Sequence, residues 1–325
     1  RRMGEAIGEE ALHYGVDVVL GPGVCMKRSP LCGRNFEYFS EDPYLAGVMG
    51  TNWIRGVQSK GVGTSLKHYA ANNQEQDRMM GDSMVDERAL REIYLPAFEM
   101  AVKEWQPDTV MCSYNKINGT FSSDNKSLLT DILRDEWGFQ GLVVTDWGAM
   151  NDRIRAFQAG CDLEMPSSSG MFDEDVKRAV AEGKLSEADI DACVERIIKL
   201  AWKARETRSG ISDGYSFDAE AHHNLAREIA AESAVLLKNE DAVLPLEKTA
   251  RIALCGVMAE QVRYQGAGSS HINPTKLSSL RAAMEAAGGN VAYYPSYELG
   301  GEKNADELQR AVDGAKEADV AVLVV

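Results

Sequence analysis

Three short apolar runs in the first half of the chain end in residues that can do chemistry. Gly63-Thr64-Ser65-Leu66 passes into Lys67 and His68, Thr109-Val110-Met111-Cys112-Ser113 into Tyr114 and Asn115, and Gly141-Leu142-Val143-Val144-Thr145 into Asp146 and Trp147. In a parallel barrel, the C-terminal ends of successive strands converge on one mouth, and that is where such barrels carry out reactions. Singly, each residue has a plainer use. Asp146 suits the cap of a helix beginning near Met150. Lys67 suits the surface or, as a neutral amine, a Schiff-base nucleophile of the aldolase type. His68 suits a buried structural histidine, Tyr114 the barrel rim and Trp147 the core. As a set they suit a pyranose better. Arg, Lys and His donors hold hydroxyls, and Trp packs on the apolar face of the ring. An ionised carboxylate beside an anomeric carbon is a competent nucleophile.

The elements that must position these residues alternate between the periods of strand and helix. Strands are expected at 16–20, 64–66, 109–113 and 142–145, with a weaker one at 161–163. Helices are expected at 2–13, 43–58, 86–104, 126–136 and 150–159. Short Val-rich strands separated by helices read as βα units around a parallel sheet. Asp86 reads as an N-cap, followed by an inner face of Ala89, Ile93, Ala97, Met100 and Ala101. Val194, Ile197, Ile198, Ala201 and Trp202 follow helical spacing as the apolar face of a last helix. The polar stretch from Arg208 to Gly214 suits a linker. A second α/β pattern follows: helix 219–236, strand 252–254, a Gly-rich loop 265–270, helix 280–287, strand 291–294, helix 305–318 and strand 320–325. The Gly-rich loop lacks the Lys of a phosphate-binding loop, which argues against a nucleotide.

The 325 residues exceed what one hydrophobic core supports, and the net charge of −15 disfavours nucleic acid and anionic membranes as partners while tolerating a neutral sugar. No apolar stretch reaches the length of a membrane-spanning helix. The six cysteines show no CxxC pair and no accompanying His cluster, so no metal site is expected, and their apolar settings lean toward a reducing, cytoplasmic compartment.

Several motifs in order carry a family resemblance. Leu142-Val143-Val144-Thr145-Asp146-Trp147-Gly148-Ala149 resembles the nucleophile signature of glycoside hydrolase family 3. Lys67-His68-Tyr69-Ala70-Ala71-Asn72-Asn73-Gln74-Glu75 resembles its Lys-His substrate-binding segment, and Gly33-Arg34-Asn35-Phe36-Glu37-Tyr38-Phe39-Ser40-Glu41-Asp42-Pro43 a third signature. Leu236-Leu237-Lys238-Asn239 followed by Leu244-Pro245-Leu246, and Tyr264-Gln265-Gly266-Ala267-Gly268-Ser269-Ser270, resemble parts of the family's second domain. The similarity runs from about residue 4 to the end of the chain.

The resemblance implies an α/β protein: a partial (β/α)8 TIM-type barrel over 1–205, a linker at 206–225 and an incomplete α/β sandwich over 226–325. It makes Asp146 the nucleophile of a retaining double displacement. It gives Arg34, Lys67, His68, Arg78 and Tyr114 the glycosyl hydroxyls, and Met111 and Trp147 the walls. It implies small β-glucosides or oligosaccharides as substrates, without cofactor or metal, and leaves a homo-oligomer open. The Lys-His segment continues without a Gly-His-Gly pattern, which implies that the acid/base is a second-domain Glu beyond Val325. Trp147, where xylosidase-like members tend to carry Cys, points to a β-glucosidase. A β-xylosidase, a broad β-glycosidase and a catalytically silent sugar-binding relative are the alternatives. With about five barrel strands of eight in view, and a final strand without a turn after it, sequence is expected to be missing at both ends. The 325-residue polypeptide alone is then expected to be inactive.

Overall fold

The computed structural model describes residues 1–325, which divide into two compact units, Arg1–Ala226 and Arg227–Val325. In the first, strands β1 (Val18–Val19), β2 (Gly63–Tyr69), β3 (Thr109–Cys112) and β4 (Leu142–Thr145) pair in parallel in sequential order, Val18 opposite Gly63, Ser65 opposite Thr109 and Thr109 opposite Leu142. Each crossover contains helix, as parallel neighbours require. This is one wall of an α/β barrel. The expected strand at 161–163 is reduced to a single bridge between Val144 and Leu163. A small ribbon of Asp82–Ser83, Lys116–Ile117 and Thr120–Phe121, too short to show a period, had no sequence signal.

Alternation along the strands divides the sheet into two faces. Leu66, Val110, Cys112 and Val143 point to the outer helices and join the main core, while Met111, Leu142 and Val144 form a smaller cluster with Leu163, Met165, Ile197 and Leu200. Helix α1 (Arg2–His13) lies against α2 (Pro43–Gln58). Their backbones nearly touch: a Cβ on Gly4 would sit 2.3 Å from the Trp53 carbonyl oxygen. Asp42 caps α2 by accepting from the Tyr44 amide, with Pro43 in the first turn, where its missing N–H costs nothing.

The expected helix at 86–104 is broken. Its Asp86 cap holds, but Leu90–Tyr94 is a π turn closed by the Leu95 amide on the Leu90 carbonyl, and Pro96–Trp105 (α3) resumes the α-helix. The extra residue rotates the inner face, which comprises Leu90, Leu95, Ala97, Phe98, Ala101 and Val102. Helix α4 spans Arg153–Ala159, and Asp152 caps it by accepting from the Ile154 and Arg155 amides. Asp173–Ala181 (α5) is a helix the sequence reading lacked.

In α6 (Glu187–Ser209) the packed side is Cys193, Leu200 and, from the expected stripe, Ile197, while Val194, Ile198 and Trp202 are exposed, Trp202 at 67%. Arg196, on that packed side, reaches the wholly buried Asp162, which also binds Arg134 and the Val143 amide. The expected linker is largely helical, since α6 runs to Ser209 and α7 spans Ala219–Glu232. It is attached to the first unit. His222 lies between two carboxylates of α1, with Nδ1 2.8 Å from Glu10 and Nε2 3.1 Å from Glu9, and stacks on Phe217.

The second unit contains β5 (Arg251–Cys255), β6 (Asn290–Tyr294) and β7 (Val320–Leu323), parallel in the order β7-β5-β6, with helices Leu280–Ala286 and Ala305–Glu317. Ala253, Cys255 and Ala311 form its buried cluster. The Gly-rich loop contains a single 3-10 turn, Gly268–Ser270. All six cysteines are buried free thiols. No helix is long and apolar enough to cross a membrane.

Candidate active site

The residues at the C-terminal ends of β2, β3 and β4 meet, as the strand-end pattern predicts. Asp146 follows β4, and its amide donates to the Cys112 carbonyl at the end of β3. Beyond Trp147 the chain turns at Gly148, whose φ of +82° suits glycine, and the Gly148 amide bonds to Met165. Asp146 is not the cap of α4, since Asp152 fills that role. Its Oδ1 accepts the Trp147 amide at 2.8 Å. Its Oδ2 is buried without a hydrogen-bond partner, 3.6 Å from Arg34 Nη1 and 3.6 Å from His68 Nε2.

Arg34 arrives from a loop of successive turns, with Asn35 bonded back to Cys32 and Glu37 to Arg34. Beside it, the chain at Pro22–Val24 extends β1 along β2: the Pro22 carbonyl accepts the Lys67 amide and the Val24 amide donates to the Lys67 carbonyl. Two of the guanidinium's nitrogens are engaged. Its Nε donates to Glu37 Oε1 and its Nη2 to His68 Nε2, both at 2.6 Å. Guanidinium only donates, so His68 Nε2 accepts and the ring is neutral with its proton on Nδ1. That proton goes to the Tyr38 hydroxyl at 3.0 Å, and Tyr38 in turn donates to the Asn72 carbonyl. Burial, then the charges of Arg34, Lys67 and Arg78, hold His68 well below its ordinary value, in agreement with this tautomer. Burial works against the charge on Arg34, but Tyr38, Glu37 and Asp146 raise its pKa further.

Lys67 pairs with Glu37 Oε2 at 3.1 Å. An ammonium held this way offers no lone pair to a carbonyl, which removes the support for a Schiff-base role. Arg78 lies over the Tyr114 ring, 4.6 Å from its centroid, and binds Glu75 at 2.9 Å. Burial, with the Asp146 charge as second cause, pushes the Tyr114 phenol up to about 12. Trp147 is 41% exposed, so its ring stands free at the mouth.

Two expected site residues sit differently. Met111 is 2% exposed and packs with Leu142 and Val144 on the face of the sheet opposite Val110 and Cys112. The strand alternation that turns Val110 and Cys112 to the helices puts Met111 there. His68 is fully buried with both nitrogens engaged by Arg34 and Tyr38, so it faces the guanidinium and not open solvent. Sequence reasoning assigned nothing to Glu37, Tyr38, Asn72 or Glu75. The available signal for Glu37 was its position three residues after Arg34 in a turn. Unpartnered buried atoms collect nearby: Asn72 Nδ2, Asn73 Oδ1, Glu75 Oε1 and Asp146 Oδ2. Buried polar atoms are normally paired, so such a cluster marks a surface shaped for a polar ligand. No group of His, Cys, Asp and Glu is arranged to hold a metal ion.

A buried carboxylate flanked by paired cations, at the C-terminal ends of parallel barrel strands, is the arrangement of a glycosidase-type site. Comparison with known proteins gives the family. The Glycosyl hydrolase family 3 N terminal domain model matches residues 1–200, and the Glycosyl hydrolase family 3 C-terminal domain model matches residues 234–325. The chain belongs to glycoside hydrolase family 3. It is 52% identical to thermostable beta-glucosidase B of Acetivibrio thermocellus over 99% of this chain and 43% of that protein. It is 49% identical to an exo-alpha-(1->6)-L-arabinopyranosidase of Bifidobacterium longum, again over 99% of this chain and 43% of that protein. Among solved structures, a Bifidobacterium adolescentis GH3 beta-glucosidase superposes with a TM-score of 0.91 at 48% identity, covering 98% of this chain and 47% of that one. Beta-glucosidase 3B of Thermotoga neapolitana in complex with glucose gives 0.88 at 39% identity, covering 99% and 49%. The chain thus spans less than half the length of these relatives.

Proposed function

We propose that the protein carrying this chain hydrolyses terminal non-reducing β-D-glucosyl residues with retention of configuration. The observation that carries this reading is Asp146 Oδ2, a buried carboxylate oxygen with no partner, beside Arg34 and below an open Trp147. Oδ1 is held by the Trp147 amide, which leaves Oδ2 to attack C1. The C1–O bond to the aglycone breaks, its electron pair leaves with the oxygen, and that oxygen takes a proton from a general acid. Water then attacks C1, gives up its proton to the same residue and releases Asp146 as the carboxylate. That acid is assigned to a second-domain Glu outside residues 1–325.

Arg34, Lys67, Arg78 and Tyr114 supply donors for the glycosyl hydroxyls, and Trp147 packs on the ring. The names of the beta-glucosidase relatives support glucose as the sugar. The arabinopyranosidase at similar identity supports a second reading, an α-L-arabinopyranoside, whose equatorial glycosidic bond presents C1 as a β-D-hexopyranoside does.

The test uses the full-length protein and aryl β-D-glucoside, β-D-xyloside and α-L-arabinopyranoside. The glucoside is expected to give the highest kcat/KM, and a slow 2-fluoro glycoside should esterify Asp146. Asp146→Asn should lose about 10⁴-fold or more in kcat while remaining folded. A label on another side chain would refute the mechanism, and preference for the arabinoside would replace the substrate.

A further inference from the structure

Arg34 and Lys67 come from different segments, a loop and a strand, yet their cationic ends are tied to a single carboxylate. Glu37 places Oε1 2.6 Å from Arg34 Nε and Oε2 3.1 Å from Lys67 Nζ, with all three side chains about five-sixths buried. Arg34 carries the arrangement onward, to His68 Nε2 at 2.6 Å and toward Asp146 Oδ2 at 3.6 Å. The other cation here, Arg78, has Glu75 for itself. Glu37 is therefore the one anion that both Arg34 and Lys67 share.

We propose that Glu37 is a positioning residue of the glycosyl-binding site, fixing Arg34 and Lys67 in one geometry and balancing their charge, so that Asp146 Oδ2 is left unpaired for the sugar. Without Glu37, each cation is free to turn to the nearest anion, and for Arg34 that anion is Asp146. A charge-assisted contact to the nucleophile then competes with substrate. A carboxylate is required. It accepts at both oxygens, whereas an amide in its place accepts at one end and turns N–H groups on the other cation. The i,i+3 step from Arg34 within a turn and the length of a Glu side chain set the reach to Lys67.

This inference rests on the proposed glycosidase reading, and the experiment separates the two. In the full-length protein, Glu37→Gln and Glu37→Asp are assayed on an aryl β-glucoside across pH, and labelled with a slow 2-fluoro glycoside. Glu37→Gln is expected to lower kcat/KM about 10- to 100-fold, chiefly through KM, the scale of one charge-assisted hydrogen bond. The acidic limb of its kcat/KM profile should move to lower pH, because removing a negative charge favours the ionised form of neighbouring carboxylates. Glu37→Asp keeps the charge but reaches only one cation, so it should hold the wild-type acidic limb with a smaller, roughly tenfold loss. A purely structural role would move neither the limb nor the KM-to-kcat split.

Label on Asp146 with unchanged kcat/KM and pH profile in Glu37→Gln overturns the inference alone. Label elsewhere in the wild type overturns the glycosidase reading and this inference with it. If Glu37→Gln does not fold, wild-type kinetics in Glu37→Asp overturn the inference, and the stated loss supports it.

Discussion

Replacing Arg34 by lysine keeps a positive charge but removes the fork through which one side chain reaches three partners. In the native site, Nε and Nη2 make charge-assisted hydrogen bonds at 2.6 Å to Glu37 and His68, and Nη1 stands 3.6 Å from Asp146. A lysine ammonium is a single point on a flexible stem and holds one of these partners firmly. One charge-assisted bond is then lost, about 1.5–3 kcal/mol, which corresponds to roughly 10- to 150-fold in kcat/KM. Arg34→Met loses both bonds and leaves Glu37 and Asp146 without their shared neighbour, so its loss should be at least tenfold greater again. The assay is kcat/KM on an aryl β-glucoside with the full-length protein, with thermal midpoints of all variants measured alongside. A loss below threefold in Arg34→Lys, or a methionine variant no worse than the lysine one, would show that the three-way geometry is incidental to binding.

Other consequences concern stability. Asp162 is fully buried between Arg134 Nη2 at 2.7 Å and Arg196 Nη1 at 2.6 Å, and accepts the Val143 amide at 2.6 Å. Asp162→Ala strands two guanidiniums and should cost about 3–5 kcal/mol in denaturant unfolding, since removing one partner of a buried pair leaves uncompensated charge; a change under 1 kcal/mol would contradict this reading. His68, held neutral well below its unfolded value near 6.5, binds fewer protons folded than unfolded, so its contribution is fully present above that value and falls as pH drops below it. The unfolding free energy of the wild type minus that of His68→Gln should therefore decline between pH 7 and pH 5, by up to about 1.4 kcal/mol per pH unit. A flat difference would mean the ring is not held in its neutral form.

Much of this was legible in the chain because periodicity reports burial directly. Helices Arg2–His13 and Pro43–Gln58 and strand Leu142–Thr145 fall where the pattern puts them. Polar residues at three strand ends converge because parallel strands share a direction. What failed has a local cause in each case. The π turn at Leu90–Tyr94 inserts a residue with no spacing signal, and the inner face beyond it keeps Ala97 and Ala101 but takes in Phe98 and Val102. In α6 the packed side includes Arg196, which pairs with the buried Asp162, a partner 34 residues away that local spacing does not reveal. Glu37 lies within the segment Gly33–Pro43, yet its pairing with Lys67 spans 30 residues and leaves no trace in local pattern.

The clasp of His222 by Glu9 and Glu10 has a meaning for synthesis. Its members lie 212 residues apart, as His222 and Glu10 are numbered along the chain. At a translation speed of about 5–20 residues per second, roughly 10–40 s separate the emergence of the two carboxylates from that of their imidazole. For that interval helix α1 waits on the ribosome with this attachment unmade.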